Sequence, residues 1–145
     1  MKKILILIIL AFTCTGCYDY KEINDLAIIS AIGVDYDNEK YIITLELLND
    51  QLDKNSSKIT SYTKIGSGDT LTSAIENAAD KLSKQPLFNH IKIMILSDNI
   101  IQNKFNNIID LFLRNTYFRE NFYVVATDNK PDDILKNITE ENPVA

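Results

Sequence analysis

The chain has 145 residues, 46% of them hydrophobic and 24% charged, with only four Gly and three Pro; this balance fits one globular domain and excludes a linker-rich or low-complexity chain. Its 20 acidic residues against 15 basic ones give a net charge of −5. No basic stripe with interleaved aromatics offsets that charge, so phosphate-backbone attraction has nothing to act on and nucleic-acid binding is excluded.

At the amino end, Met1-Lys2-Lys3 precedes the unbroken apolar run Ile4 to Phe12 and then Thr13-Cys14-Thr15-Gly16-Cys17, the three regions of a signal peptide. As a helix, Ile4 to Cys17 would reach about 21 Å, short of the roughly 30 Å hydrocarbon core that a spanning helix must cross. A permanent transmembrane helix is therefore disfavoured. Lys2 and Lys3 hold the amino end on the cytoplasmic side, so whatever follows residue 17 is exported. The end of the segment resembles a bacterial lipobox, with Gly16 before Cys17 and Cys14 where lipoboxes usually have Leu. Residues 1–16 are accordingly read as a lipoprotein signal peptide, and Cys17 as the lipidation site that receives diacylglycerol and then an N-acyl group. The alternative is ordinary secretory cleavage nearby, which leaves Cys17 a free thiol.

Cys14-x-x-Cys17 is not read as a redox or zinc motif, because the chain has no other Cys and only one His, and cleavage before Cys17 would separate the two thiols. The mature protein would have no disulfide. Losing Lys2 and Lys3 leaves 13 basic against 20 acidic residues, a net charge of about −7. Such a charge opposes tight electrostatic docking on anionic lipid and leaves the acyl chains to anchor the protein.

In the exported part, Leu26 to Val34 and Tyr41 to Leu48 are apolar, rich in β-branched residues, and separated by the polar turn Asp35 to Lys40. They predict an antiparallel hairpin with Tyr41, Ile43, Leu45 and Leu47 on one face. A polar loop over Asn49 to Ser57 leads to a third, more polar strand at Lys58 to Ile65, expected at an edge. Gly66-Ser67-Gly68 then reads as a strand-to-helix turn. Leu71, Ile75, Ala78, Ala79 and Leu82 recur at helical spacing over Thr70 to Lys84, with Asp69 or Thr70 as cap, Lys81 and Lys84 in the last turn, and Pro86 as the stop.

Ile91 to Leu96 is nearly continuous in apolar character and reads as the central strand, covered on both faces. Ser97 or Asp98 caps the next helical segment, whose inward face is expected to carry Ile101, Phe105, Ile108, Ile109, Phe112 and Leu113, with a break near Asn103. Phe122 to Thr127 reads as another buried strand, and Asp132 to Asn137 as the start of a short last helix. The predicted fold is α+β (mixed α/β): a mixed sheet of about five strands with helices packed on it, in the order βββαβαβα.

Catalysis finds little support. His90, just before the expected central strand, has no recognisable partner motif and reads as a strand-entry residue satisfied by a local hydrogen bond. No Gly-x-Ser-x-Gly elbow is present, and Gly66-Ser67-Gly68 is too short to cradle a phosphate. Asp35 and Asp37 could share a hard cation, but the loop lacks the Gly and the terminal Glu of a calcium loop and reads as a solvated turn. Glu22 and Asp25 read as exposed or partner-facing. The sequence thus gives no catalytic residue, no metal site and no cofactor, and ligand-binding residues are unknown.

The run Gly16-Cys17-Tyr18-Asp19-Tyr20-Lys21-Glu22-Ile23-Asn24-Asp25-Leu26-Ala27, with Ile32-Gly33-Val34-Asp35 after it, resembles the start of the Ger(x)C spore germination lipoproteins, the C subunits of nutrient germinant receptors. Gly68-Asp69-Thr70-Leu71, Phe88-Asn89-His90-Ile91-Lys92, Leu111-Phe112-Leu113-Arg114 and Asn121 to Thr127 follow in that family's order. Tyr18 stands where the family usually has Trp. Family members are three-domain proteins well over twice this size, so residues 17–145 are read as the N-terminal domain alone.

The resemblance implies a non-enzymatic role in spore germination. The protein would be lipid-anchored on the outer face of the cytoplasmic (spore inner) membrane, acting with integral-membrane A and B subunits of the receptor. Cys17 is the one position whose role transfers. Apart from the family, the alternative is a small extracytoplasmic solute-binding lipoprotein with a cleft beside the sheet.

Overall fold

Alternation builds the first strand pair. β1 (Leu26–Asp37) and β2 (Lys40–Asn49) pair antiparallel, and Tyr41, Ile43, Leu45 and Leu47 all turn inward, as their spacing predicts. The computed structural model describes residues 25–49, 60–116, 118–119 and 121–141. The expected leader, Cys14, Cys17, Glu22 and the 50–57 loop lie outside these residues. The hairpin turn is tighter than Asp35 to Lys40: only Asn38 and Glu39 leave the ladder, both left-handed at φ 50° and 61°. That is the two-residue turn whose twist matches the flanking strands. A register shift between Ile29 and Ala31 leaves Ser30 as the extra residue, and its hydroxyl donates to Glu46 Oε2 at 2.9 Å.

β3 (Thr60–Gly68) lies at the sheet edge as expected but runs through Gly66-Ser67-Gly68, which is strand and not a turn. The glycines serve packing. Helix α1 (Leu71–Ala79) crosses so close that a Cβ at Gly66 would collide with Ala78 N and Ala74 O. Thr70 caps α1 reciprocally, its Oγ1 accepting from Ser73 N at 3.1 Å while Ser73 Oγ accepts from Thr70 N at 3.2 Å. The helix stops at Ala79, five residues before the expected end, in tight turns where Lys81 N–H donates to Ala78 O and Leu82 N–H to Ala79 O. Lys81 and Lys84 therefore lie beyond its last turn. Pro86 is no helix stop but the middle of a short strand, β4 (Gln85–Leu87), parallel to the start of β1.

After a 3-10 turn at Phe88–His90 comes β5 (Ile93–Ser97), and then α2 (Asp98–Asn103), α3 (Phe105–Arg114), β6 (Tyr123–Thr127) and α4 (Pro131–Glu141). The main sheet path is β3-β2-β1-β5-β6, with β4 paired to β1 off that path. β1, not β5, is therefore the central strand. At twelve residues β1 is long enough to pair β2 along one side and, along the other, β4 at Leu26–Ile28 and β5 at Ala31–Val34. The result is the mixed, helix-covered α+β sheet that was expected, with six strands.

The main core lies between the sheet and α1 to α3, where Ile32, Val34, Ile43, Leu45, Met94 and Leu96 meet Ala74, Ala78, Ile100, Ile108 and Phe112. The opposite face holds a smaller cluster of Ala31, Ile95 and Leu135 under α4. Two expectations of burial fail. Phe105 and Leu113 are exposed, because the break between α2 and α3, at Lys104 and so beside Asn103, rotates the second helix and brings Ile108 and Phe112 inward. β6 is exposed as well, with Tyr123 at 79% and Val124 and Val125 each at 46%, because no strand covers its outer edge among the described residues. Among those residues no helix is long and apolar enough to cross a membrane.

Candidate functional site

The candidate residues of the folded part do not converge. His90 ends the 3-10 turn with its side chain exposed. Asp35 serves the hairpin, its Oδ1 accepting from Tyr36 N at 2.8 Å. Among the described residues no three His, Cys, Asp or Glu side chains stand together as a cation site.

What Asp35 and Asp37 do help to form is a cleft of about 280 Å³ at the carboxyl ends of β1, β5 and β6, shared with Asp98, Asn99, Asp128 and Lys130. One side is stiffened where Asn99 Nδ2 donates to Tyr36 O at 2.5 Å and Lys104 Nζ stands 4.7 Å from the Tyr36 ring centre. Four carboxylates and one ammonium make the cleft electronegative, suited to cationic or hydroxyl-rich groups. Sequence reading found Asp35 and Asp37 but not their partners, which follow two other strands, β5 and β6, and join them only through the parallel pairing.

A second hollow, of about 190 Å³, lies between α1 and α3 and is lined by Ile75, Leu111, Phe88 and Phe118. It backs onto an aromatic cluster in which Phe118 stands 4.3 Å from Phe112 and 5.2 Å from Phe88, centre to centre.

The two outer edges of the sheet differ in chemistry. On β3, side chains from α1 and the turn after it cover carbonyls: Lys81 Nζ donates to Ile65 O at 2.6 Å and Asn77 Nδ2 to Ser67 O at 2.7 Å. β6 offers Tyr-Val-Val-Ala-Thr, with no charge and no Pro to deter pairing. The one sequence signal for this exposure is position, since β6 is the last strand before the final helix.

The family model described as spore germination protein N-terminal domain matches residues 19–145. Spore germination protein KC of Bacillus subtilis (strain 168) is 30% identical over 134 residues, which are 86% of this chain and 33% of that protein. Spore germination proteins A3 and B3 of the same organism are 27% and 23% identical, over 99% and 97% of this chain and 40% and 38% of their own lengths. The chain thus spans about a third to two fifths of the curated relatives it matches. No solved structure matches. With the family model covering nearly all of the sequence, the chain belongs to the Ger(x)C family of spore germination proteins, as its N-terminal domain.

Proposed function

We propose that this chain is a lipid-anchored, non-enzymatic subunit of a spore nutrient germinant receptor, held by Cys17 at the outer face of the cytoplasmic (spore inner) membrane and working through contact with integral-membrane A and B subunits. The observation that carries the reading is the family match over residues 19–145, which begins two residues past Cys17. The outer edge of β6, which no strand covers among the described residues, supports a role in contact, since an unpaired strand is a ready template for another chain.

Mass spectrometry of the mature amino terminus tests the anchor. The wild type should carry the mass of its acyl groups on Cys17, and Cys17→Ala should remain unprocessed and unacylated. An unacylated wild-type terminus overturns the anchor. Affinity capture from spore membranes tests the receptor role, and recovery of neither membrane subunit overturns it.

The electronegative cleft of about 280 Å³ favours a second reading, a small extracytoplasmic solute-binding lipoprotein. Thermal shift across amino acids, amines and sugars decides this: a binder should raise the melting temperature of the wild type and not of Asp98→Asn/Asp128→Asn. No stabilisation by any of them removes the reading.

A further inference from the structure

β6 is open along its outer edge and on both faces. No strand pairs with that edge among the described residues. Tyr123 and Val125 on one face are 79% and 46% exposed, and Val124 on the other is 46% exposed. α4 leaves the first face bare because it packs mainly over β1, β2 and β3, starting where Pro131 lies against Gly33 of the central strand.

The backbone of the edge has a defined pattern. Tyr123 N–H donates inward, to Lys92 O at 2.8 Å, and successive residues of a strand turn their N–H and C=O groups to opposite sides. Val124 and Ala126 therefore each hold one donor and one acceptor outward, where the ladder to β5 does not use them.

We propose that β6 pairs antiparallel with β6 of a second copy of this chain, about a two-fold axis at Val125, so that one sheet runs through two molecules. In that register Val124 N–H donates to Ala126 O of the second copy, whose Ala126 N–H donates back to Val124 O, and the axis repeats the exchange. Every outward group of the strand is then used. Val125 meets its own counterpart in a pair without hydrogen bonds, the Cα atoms about 4.5 Å apart. Tyr123 lies beside Thr127 of the second copy, an aromatic against a β-branched residue. The contact is the same on both molecules and closes on itself.

Charge favours a second copy as the occupant. The whole chain carries −5, which opposes self-association in general, but β6 carries no charge. From Arg119 to Lys130 the sequence holds one Arg, one Lys, one Glu and one Asp, net zero. Antiparallel order turns the carboxyl flank of one strand, with Asp128 and Lys130, toward the amino flank of the other, with Arg119 and Glu120 in its sequence, so each flank offers both signs to the other. α4 takes Asp132 and Asp133 away from the edge toward β1. Asp110 and Asp132 are already paired, with Arg114 and Lys136. One five-residue ladder is small beside a standard interface of about 1,600 Å², so the pair is concentration-dependent and dilute protein is monomeric. The proposal stands apart from the lipid anchor and from the membrane subunits.

Cysteine cross-linking of the full chain under a mild added oxidant reads the register. Val125→Cys, at the axis, should form disulfide-linked dimers roughly tenfold faster than Tyr123→Cys or Thr127→Cys, whose counterparts stand about 13 Å along the ladder. Tyr123→Cys combined with Thr127→Cys should restore fast linkage. The parent chain, with Cys14 and Cys17 alone, gives the background. In sedimentation at rising concentration the parent should pass from monomer to dimer. Ala126→Pro removes an outward donor but no bond to β5, so it should weaken dimerisation roughly tenfold while the dilute protein keeps its melting temperature.

A Val125→Cys chain that links no faster than Tyr123→Cys overturns the proposal, and so does a parent that stays monomeric at every concentration. Linkage of Val125→Cys to a different protein in spore membranes, in place of itself, also overturns it and gives the edge another occupant. The cysteine series decides even where Ala126→Pro fails to fold.

Discussion

Gly66 is where a single atom separates the native packing from a clash. A methyl group there meets the backbone of α1 at Ala74 and Ala78, which cannot swing aside as a flexible side chain would. Gly66→Ala should therefore destabilise the domain by about 1–3 kcal/mol in denaturant unfolding, the usual cost of overpacking. Glu39 is the opposite case. Its φ of 61° strains any side chain, so Glu39→Gly should stabilise by up to about 1 kcal/mol in the same assay. Gly66-Ser67-Gly68 was misread because turn chemistry and close packing use the same residue. The discriminating signal stood further along the chain, in Ala74 and Ala78, small residues one helical turn apart that give α1 a flat side. At Lys136, the hydrogen bond from its ammonium to Asp132 Oδ2, at 3.0 Å, raises the pKa above the ordinary 10.5, and burial opposes this to a lesser degree. A raised folded-state value means that the stabilisation is complete below the unfolded pKa and fades as pH rises through the folded one. The difference in melting temperature between wild type and Lys136→Met should thus hold constant around neutrality and shrink only in strong alkali.

Elements were legible wherever burial repeats along the chain. The hairpin and the inward row from Tyr41 to Leu47 follow from alternation alone, and Thr70 and Ser97 cap the helices that their positions announce. β4 carried no such signal, being three residues long with Pro86 in its middle, and exists only because β1 begins beside it. β6 misled because an apolar run reads alike in the middle of a sheet and at its rim. The difference is measurable by substitution. Val125→Lys on the exposed edge should change stability by no more than about 0.5 kcal/mol, whereas Leu135→Ala, which empties the centre of the small cluster under α4, should cost about 2–5 kcal/mol. Equal costs at the two sites would mean that β6 is covered in solution.

At the scale of the whole molecule, a net charge of −5 says nothing of which strand ends the carboxylates follow, so composition alone could not announce the acidic cleft. The cleft was half legible for the same reason: Asp35 and Asp37 are neighbours in sequence, whereas Asp98 and Asp128 reach them only through the parallel pairing of β1, β5 and β6. The central place of β1 has a mechanical consequence. A pull arriving from the amino-terminal side enters the fold at Leu26 and runs along that strand's own axis, loading its bonds to β2, β4 and β5 in shear. Such ladders give way together and not one rung at a time, so a domain tugged from that end should hold its shape far longer than one drawn out through α4.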